Sequence, residues 1–179
     1  MNKIKVQFLC FILLQLTYFI CDAQEEQVVI AKSKFPDARA IILNNVDEYS
    51  IFIKDNELRG TCNSLNQTYI NNENAIGFQK QSIPTNSFVE VDESDINAYT
   101  LIPKGKKYEK KKVDNIELKD DVSESNFYDD QKSYQFMYPA LQQGSIINLE
   151  YKQKYNEPKF MGSFYYSSHI PSLNNELII

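Results

Sequence analysis

Thiol catalysis needs a cysteine beside a histidine base, with a carboxylate or amide to orient the imidazole. Past residue 23 this chain offers one of each, Cys62 and His169. Cys62 lies in Arg59-Gly60-Thr61-Cys62-Asn63 and His169 in Ser167-Ser168-His169-Ile170-Pro171, and neither stretch carries a nucleophile signature. A zinc site takes three or four nitrogen, sulfur or oxygen ligands, more than one His and one Cys supply. Asp92, Glu93 and Asp95, with Ser94, place oxygens close together, but without the loop glycine and closing glutamate of a calcium hand. They read as an acidic surface turn. Asp120-Asp121 and Asp129-Asp130 are adjacent pairs, and on a strand adjacent side chains point to opposite faces. They therefore do not form the facing carboxylates of a glycosidase. No catalytic, cofactor-binding or metal-binding residue is assigned from this inventory, and no cofactor is expected.

Two features remain that could bind rather than catalyse. Lys104, Lys106, Lys107, Lys110, Lys111 and Lys112 form a basic run. The chain's net charge of −5 argues against nucleic acid, so the run reads as a solvated hairpin edge whose lysines discourage strand addition. The chain also holds 12 Tyr and 11 Phe without any Trp. Core filling accounts for most of them, because one face of every strand is buried. Tyr165 and Tyr166 are neighbours, so on a regular strand one of them faces outward as a candidate surface contact.

Compartment follows from the first 23 residues. Lys3 and Lys5 precede an apolar run from Val6 to Ile20, and Cys21-Asp22-Ala23 ends in small residues suited to a signal peptidase. The run is short for a membrane span, which takes about 20 residues. A lipid-modified Cys21 is the second choice, since Tyr18, Phe19 and Ile20 before it are bulky. Cleavage after Ala23 leaves 156 of the 179 residues, enough for one domain with a real core, and shifts the charge to −6. Cys62 is then the lone cysteine, so no internal disulfide forms and stability rests on the core. The expected location is periplasmic, cell-surface or extracellular, with no membrane span after cleavage.

The rest of the chain reads in strands. Residues 24–34 form a lead-in, either a short helix or a strand. Ala38–Leu43 and Tyr49–Ile53 predict a hairpin turning at Asn44-Asn45-Val46-Asp47, where Asn and Asp favour turns. Asp55-Asn56 turns the chain again into a long polar strand over 57–70, and 71–80 is a loop or helical turn. Phe88–Val91 and Ala98–Ile102 are strands, the latter closed by a Pro103-Lys104-Gly105 turn. Period-two alternation predicts strands at Tyr134–Tyr138, Ile147–Tyr151 and Phe160–Tyr166. The terminal Asn175-Glu176-Leu177-Ile178-Ile179 reads as the first half of a strand that continues no further. The fold class expected is all-β, mainly antiparallel and sandwich-like, with little helix beyond the signal peptide.

Several of these segments together resemble a family. They are Phe35-Pro36-Asp37-Ala38-Arg39-Ala40-Ile41-Ile42-Leu43, Tyr49-Ser50-Ile51, the 98–105 strand and turn, and above all Tyr138-Pro139-Ala140-Leu141-Gln142-Gln143-Gly144-Ser145-Ile146-Ile147-Asn148-Leu149-Glu150-Tyr151. From about residue 35 to 171 the chain resembles the domain of unknown function found N-terminal to transglutaminase-like domains in exported bacterial proteins. The resemblance implies an antiparallel β domain over 35–179, cut short at its C-terminus, with a turn bracketed by Pro139 and Gly144 between two paired strands. It implies a transglutaminase-like domain as partner, whose catalytic residues lie beyond this chain and are not carried over. The function expected is that of a non-catalytic exported domain that packs against or presents such a partner, or mediates protein interaction. The alternative is a free-standing sandwich binding glycan or peptide at the cell surface.

The export pattern yields a direct test. Protein recovered from the periplasm should begin at Gln24 on N-terminal sequencing. A start at a lipid-modified Cys21, or an intact Met1, would show that the pattern was misread.

Overall fold

Asp55 and Asn56 both adopt left-handed backbone, with φ of 52° and 61°. Two such residues in succession make the tight turn whose twist matches that of flanking strands. They join the two longest strands among the described residues, β1 (Ala40–Lys54) and β2 (Glu57–Ile70), paired without interruption from Lys54↔Glu57 back to Asn44↔Gln67. The computed structural model describes residues 25–105, 107–120 and 130–179. The signal-peptide reading, Lys106, Asp121 and Asp129 lie outside those residues.

The described chain divides into two compact units, meeting at Pro36 and Asp37. In the first, residues 25–34 form a helix. Glu25 and Glu26 stand in its first turn, where carboxylates favour the helix dipole, and Pro36 follows its end. The lead-in is therefore the helix of the two options.

The second unit is mostly β. Its remaining strands are β3 (Lys80–Thr85), β4 (Val89–Val91), β5 (Asn97–Lys104), β6 (Lys107–Lys112), β7 (Glu117–Asp120), β8 (Lys132–Met137), β9 (Ile146–Tyr155) and β10 (Ser172–Ile178). The larger sheet runs β10-β1-β2-β9-β5-β6, with β4 beside the far end of β9; the smaller is β3-β8-β7. All pairs are antiparallel except β1 with β10. The sheets pack as a sandwich. Ile83, Phe136 and Tyr138 from the smaller sheet and its exit meet Val91, Ala98, Ile147 and Leu149 of the larger.

Four expectations change. Asn44–Asp47 is not a turn but the middle of β1. A bulge at Leu43 absorbs the irregularity, and Asn44 donates to Gln67 Oε1 at 2.8 Å on the neighbouring strand. A cross-strand partner gave the amide what a turn would have given it. Residues 160–166 are not a strand. A short 3₁₀ turn at Pro158–Phe160 leads into an irregular crossover, because β9 already has partners on both sides and the chain must cross to the far edge beside β1. Pro139 and Gly144 do bracket a turn, but β8 and β9 are not paired to each other; the segment carries the chain from one sheet to the other. Last, Pro103 and Lys104 do not close the strand in a turn but belong to β5, paired with Tyr108 and Lys107, and the chain turns at Gly105. Residues 175–178 belong to β10, which starts at Ser172. Strand β10 lies at the sheet's margin, beside β1.

Gly144 fixes the crossing. Its φ is +86°, its N–H donates to Ile70 O at 2.8 Å, and an added Cβ would stand 3.2 Å from Pro103 Cγ. Gly105, at φ +64°, turns the β5–β6 hairpin in open space. Gly105→Ala should cost only the left-handed strain, about 1 kcal/mol. Gly144→Ala should cost more, about 2–3 kcal/mol, through strain plus the proline contact. Urea denaturation of the two variants measures the difference; equal losses would show that the Pro103 contact carries nothing.

Candidate functional site

Strand alternation puts Asn45, Asp47 and Tyr49 of β1 on one face of the larger sheet, with Cys62, Ser64, Asn66 and Thr68 of β2 beside them. β9 adds Tyr151 and Tyr155 to the same face, and β10 adds Asn175. The smaller sheet covers one part of this face, and the 158–171 crossover covers another. Between them the face stays polar.

Cys62 is fully buried, in a cluster with Tyr49 and Tyr155 that Phe160, Met161 and Leu177 cover. Its sulfur lies 3.5 Å from Ser64 Oγ, and the Tyr49 hydroxyl donates to Gly162 O at 3.5 Å. Burial pushes the Cys62 thiol above its ordinary value; the Ser64 hydroxyl pulls it partly back, and the Asp47 carboxylate adds to the rise. Burial likewise raises Tyr49 strongly and pushes Tyr155 up to about 12. A reactive cysteine has a lowered pKa and access to solvent, and Cys62 has the reverse of both. His169 is exposed on the crossover and stacks on Phe78, ring centroids 5.8 Å apart and planes within 1°. The Arg39 guanidinium sits 5.7 Å from the Phe78 centroid. The structure thus gives Cys62 and His169 separate surroundings: the described groups acting on the thiol are Ser64, Asp47 and Tyr49.

The other sequence candidates also find their places. Lys154 bonds Asp92 and stands 3.4 Å from Asp95, so an ammonium occupies the centre of that acidic turn. Among the described residues no group of three or more His, Cys, Asp or Glu could hold a metal. Asp120 lies 3.6 Å from Lys132 Nζ, while Asp130 accepts from the Ser87 N–H at 2.8 Å, and the Ser87 hydroxyl together with that N–H holds its carboxyl below the usual range. The described lysines of the basic run line the β5–β6 hairpin, and β6 is the sheet's outer strand, a solvated edge as expected. Lys104 pairs with Glu109 at 3.1 Å, and Lys110 lies 3.5 Å from the Tyr99 ring centroid. Tyr165 and Tyr166 are both exposed, because no regular strand forces them to opposite sides.

Sequence reasoning missed a cleft of about 270 Å³ on the polar face. Asn45, Asp47, Asn66 and Asn175 form its floor, and Phe164, Tyr165 and the crossover serines close its rim. The amides are tied together: Asn66 donates to Asn45 at 3.4 Å, and Asn45 to Asn175 at 3.2 Å. Asn175 in turn donates to Tyr166 O at 3.1 Å, which fixes the rim to the floor. A second cleft of about 240 Å³ adjoins it, sharing Ile42, Asn66 and Ser168 and reaching Phe78 and His169. The signal in the sequence was polar alternation, Asn45-x-Asp47-x-Tyr49 against Cys62-x-Ser64-x-Asn66. A different surface lies at the β1–β2 tip. Strand β9 stops opposite Gly60 and β10 stops opposite Glu48, so residues 51–58 extend as a two-stranded arm. Ile51, Phe52, Ile53 and Leu58 are exposed there, Ile53 by 74%.

The family model for a domain of unknown function with solved structure, DUF3857, matches residues 56–178. A crystal structure from Parabacteroides distasonis ATCC 8503, of a protein named as a candidate protease, aligns with a TM-score of 0.53 at 14% identity. The alignment covers 72% of this chain and 24% of that one, so this chain spans about a quarter of its length. At that identity the likeness is one of fold. No curated protein matches the chain.

The buried thiol sets a pH dependence. A group whose folded pKa is raised above its unfolded value, about 8.5 for cysteine, leaves stability intact below that value and lowers it as pH rises further. Denaturation midpoints should hold near neutrality and begin to fall above about pH 8.5. In Cys62→Ala the fall should start later, near pH 10, where the buried tyrosines take over. The same onset in both proteins would mean that the thiol is not protected by the fold.

Proposed function

Because the chain belongs to the DUF3857 family, a β domain of unknown function, we propose that it is a non-catalytic exported domain that packs against or presents a partner domain, of the transglutaminase-like class its sequence pattern implies. The observation that carries this reading is the β1–β2 arm. Exposed Ile51, Ile53 and Leu58 lie on one face of it, with Ile53 directly opposite Leu58 across the strands. Clustered aliphatic side chains on a projecting element are characteristic of a docking surface. The opposite edge of the sheet carries the Lys-rich β6, whose charge resists association, so the molecule has one adhesive end and one guarded end.

Three further points support the reading. Cys62 is buried and held protonated, which suits a structural thiol. The protein of similar fold from Parabacteroides distasonis is about four times as long as the shared region, which suits a module that works beside others. The n-, h- and c-region pattern before Gln24 supports export.

Photo-crosslinking in the native cell envelope tests the docking surface. A crosslinker at Ile53 should capture a protein bearing a transglutaminase-like domain, while one at Lys111 on the guarded edge should capture none. With the crosslinker at Ile53, Leu58→Lys across the arm should reduce that capture at least about tenfold, yet change stability by less than about 0.5 kcal/mol because the site is exposed. Equal capture from both edges, or none from Ile53, would contradict the assignment.

A further inference from the structure

We propose that the cleft between β1, β2, β10 and the 163–168 rim binds a neutral, polyhydroxylated ligand, a short glycan. The site is separate from the arm and does not depend on what the arm docks to. Four features of the cleft point to this chemistry.

First, the charge is wrong for an anion. No Lys, Arg or His lines the cleft, and its one ionised group is the half-buried Asp47 carboxylate. One carboxylate is also too few for a hard cation, which gathers six or more oxygens. Second, the polar groups alternate in kind. Asn45 and Asn66 each spend one N–H on a neighbouring amide, and each accepts one bond on its oxygen. Each therefore keeps one N–H and one lone pair for a ligand, next to a carboxylate that only accepts. A vicinal diol, whose hydroxyls both donate and accept, matches that array. Third, the array is already fixed, because the Thr68–Asn66–Asn45–Asn175 chain holds each amide in place. A ligand would lose little further order on binding it. Fourth, Tyr165 stands 75% exposed at the rim with Phe164 beside it. An aromatic face next to hydrogen-bonding groups accommodates the C–H face of a sugar ring as well as its hydroxyls.

The adjoining cleft gives the ligand a minimum length. It shares Ile42, Asn66 and Ser168 with the first, is also lined by Lys80, and reaches the exposed His169 ring stacked on half-buried Phe78, a second flat surface. Two subsites that meet at Ile42, Asn66 and Ser168 call for at least two sugar units. A peptide fits less well, since an extended peptide is recognised through a free backbone edge, whereas this floor is made of side chains on the face of the sheet: those of β1 and β2, strands paired on both sides, and Asn175 of the edge strand β10.

The test is an amide-resolved NMR titration of the purified chain with maltotriose, cellotriose, xylotriose and triacetylchitotriose, and with tetraglycine as the peptide probe. At least one sugar should shift the Asn45 and Asn66 side-chain amides and the Tyr165 backbone amide saturably, at about millimolar Kd or tighter. Asp47→Asn and Tyr165→Ala should each weaken that binding about tenfold or more, with the remaining spectrum unchanged as proof of folding. Ile53→Lys on the arm should bind as the parent does, which separates this site from the docking surface. No saturable shift with any of the sugars, the same amides moving with tetraglycine alone, or undiminished binding by Asp47→Asn would each overturn the proposal.

Discussion

Asn148 is fully buried in the middle of the larger sheet, and its amide must be bonded on both sides. Gln67 donates to its oxygen at 2.8 Å, its own nitrogen donates to Glu150 at 2.9 Å, and Asn44 extends the row to β1 by donating to Gln67 at 2.8 Å. Because side chains alternate along strands, a one-residue slip would send this row to the opposite face. Each amide left without a partner in the interior would then cost about 1–3 kcal/mol. The row therefore pins the register of β1, β2 and β9 together. What stands on the other face follows from that register: the Tyr49–Cys62–Tyr155 cluster, the Asn45–Asn66–Asn175 chain, and the apolar positions under the smaller sheet.

That second face is divided along its length. At one part Phe136, Tyr138 and Ile83 close it with aromatic and aliphatic packing. At another, Phe160 and Met161 of the crossover cap the buried thiol, Met161 reaching so close to Gly60 that an added Cβ would lie 3.2 Å from its sulfur. Between the two caps lie the clefts, and past both lies the arm. The division assigns different physical roles to different stretches of the same two strands. Their middle is polar and preorganised, and their tip is apolar and lacks neighbours.

Much of the architecture was readable from local pattern. Asp55-Asn56, the alternation in 134–138 and 147–151, Gly105 at the β5–β6 turn and the Lys-rich edge all appear where the residues implied, because each follows from its own side chains. Asn44-Asn45 misled because turn preference is a local quantity, whereas the bonds that hold these amides come from Gln67 and Asn175, 23 and 130 residues away. Residues 160–166 misled for the complementary reason. Their side chains do alternate, but a strand also needs an open edge, and β9 had none to offer. The cleft was invisible for both reasons at once: it needs β10 parallel to β1 and the crossover folded back above them.

The claim on which the account turns is that one pair of strands is rigid where the sheet supports it and open to a partner where it does not. Amide hydrogen exchange on the free chain measures this directly. Residues 61–69 of β2, paired on both sides, should exchange only with global unfolding, whereas residues 51–58 of the arm should exchange orders of magnitude faster. Equal protection along the whole hairpin would contradict the account, because it would mean that the arm is already covered and has no surface left to dock.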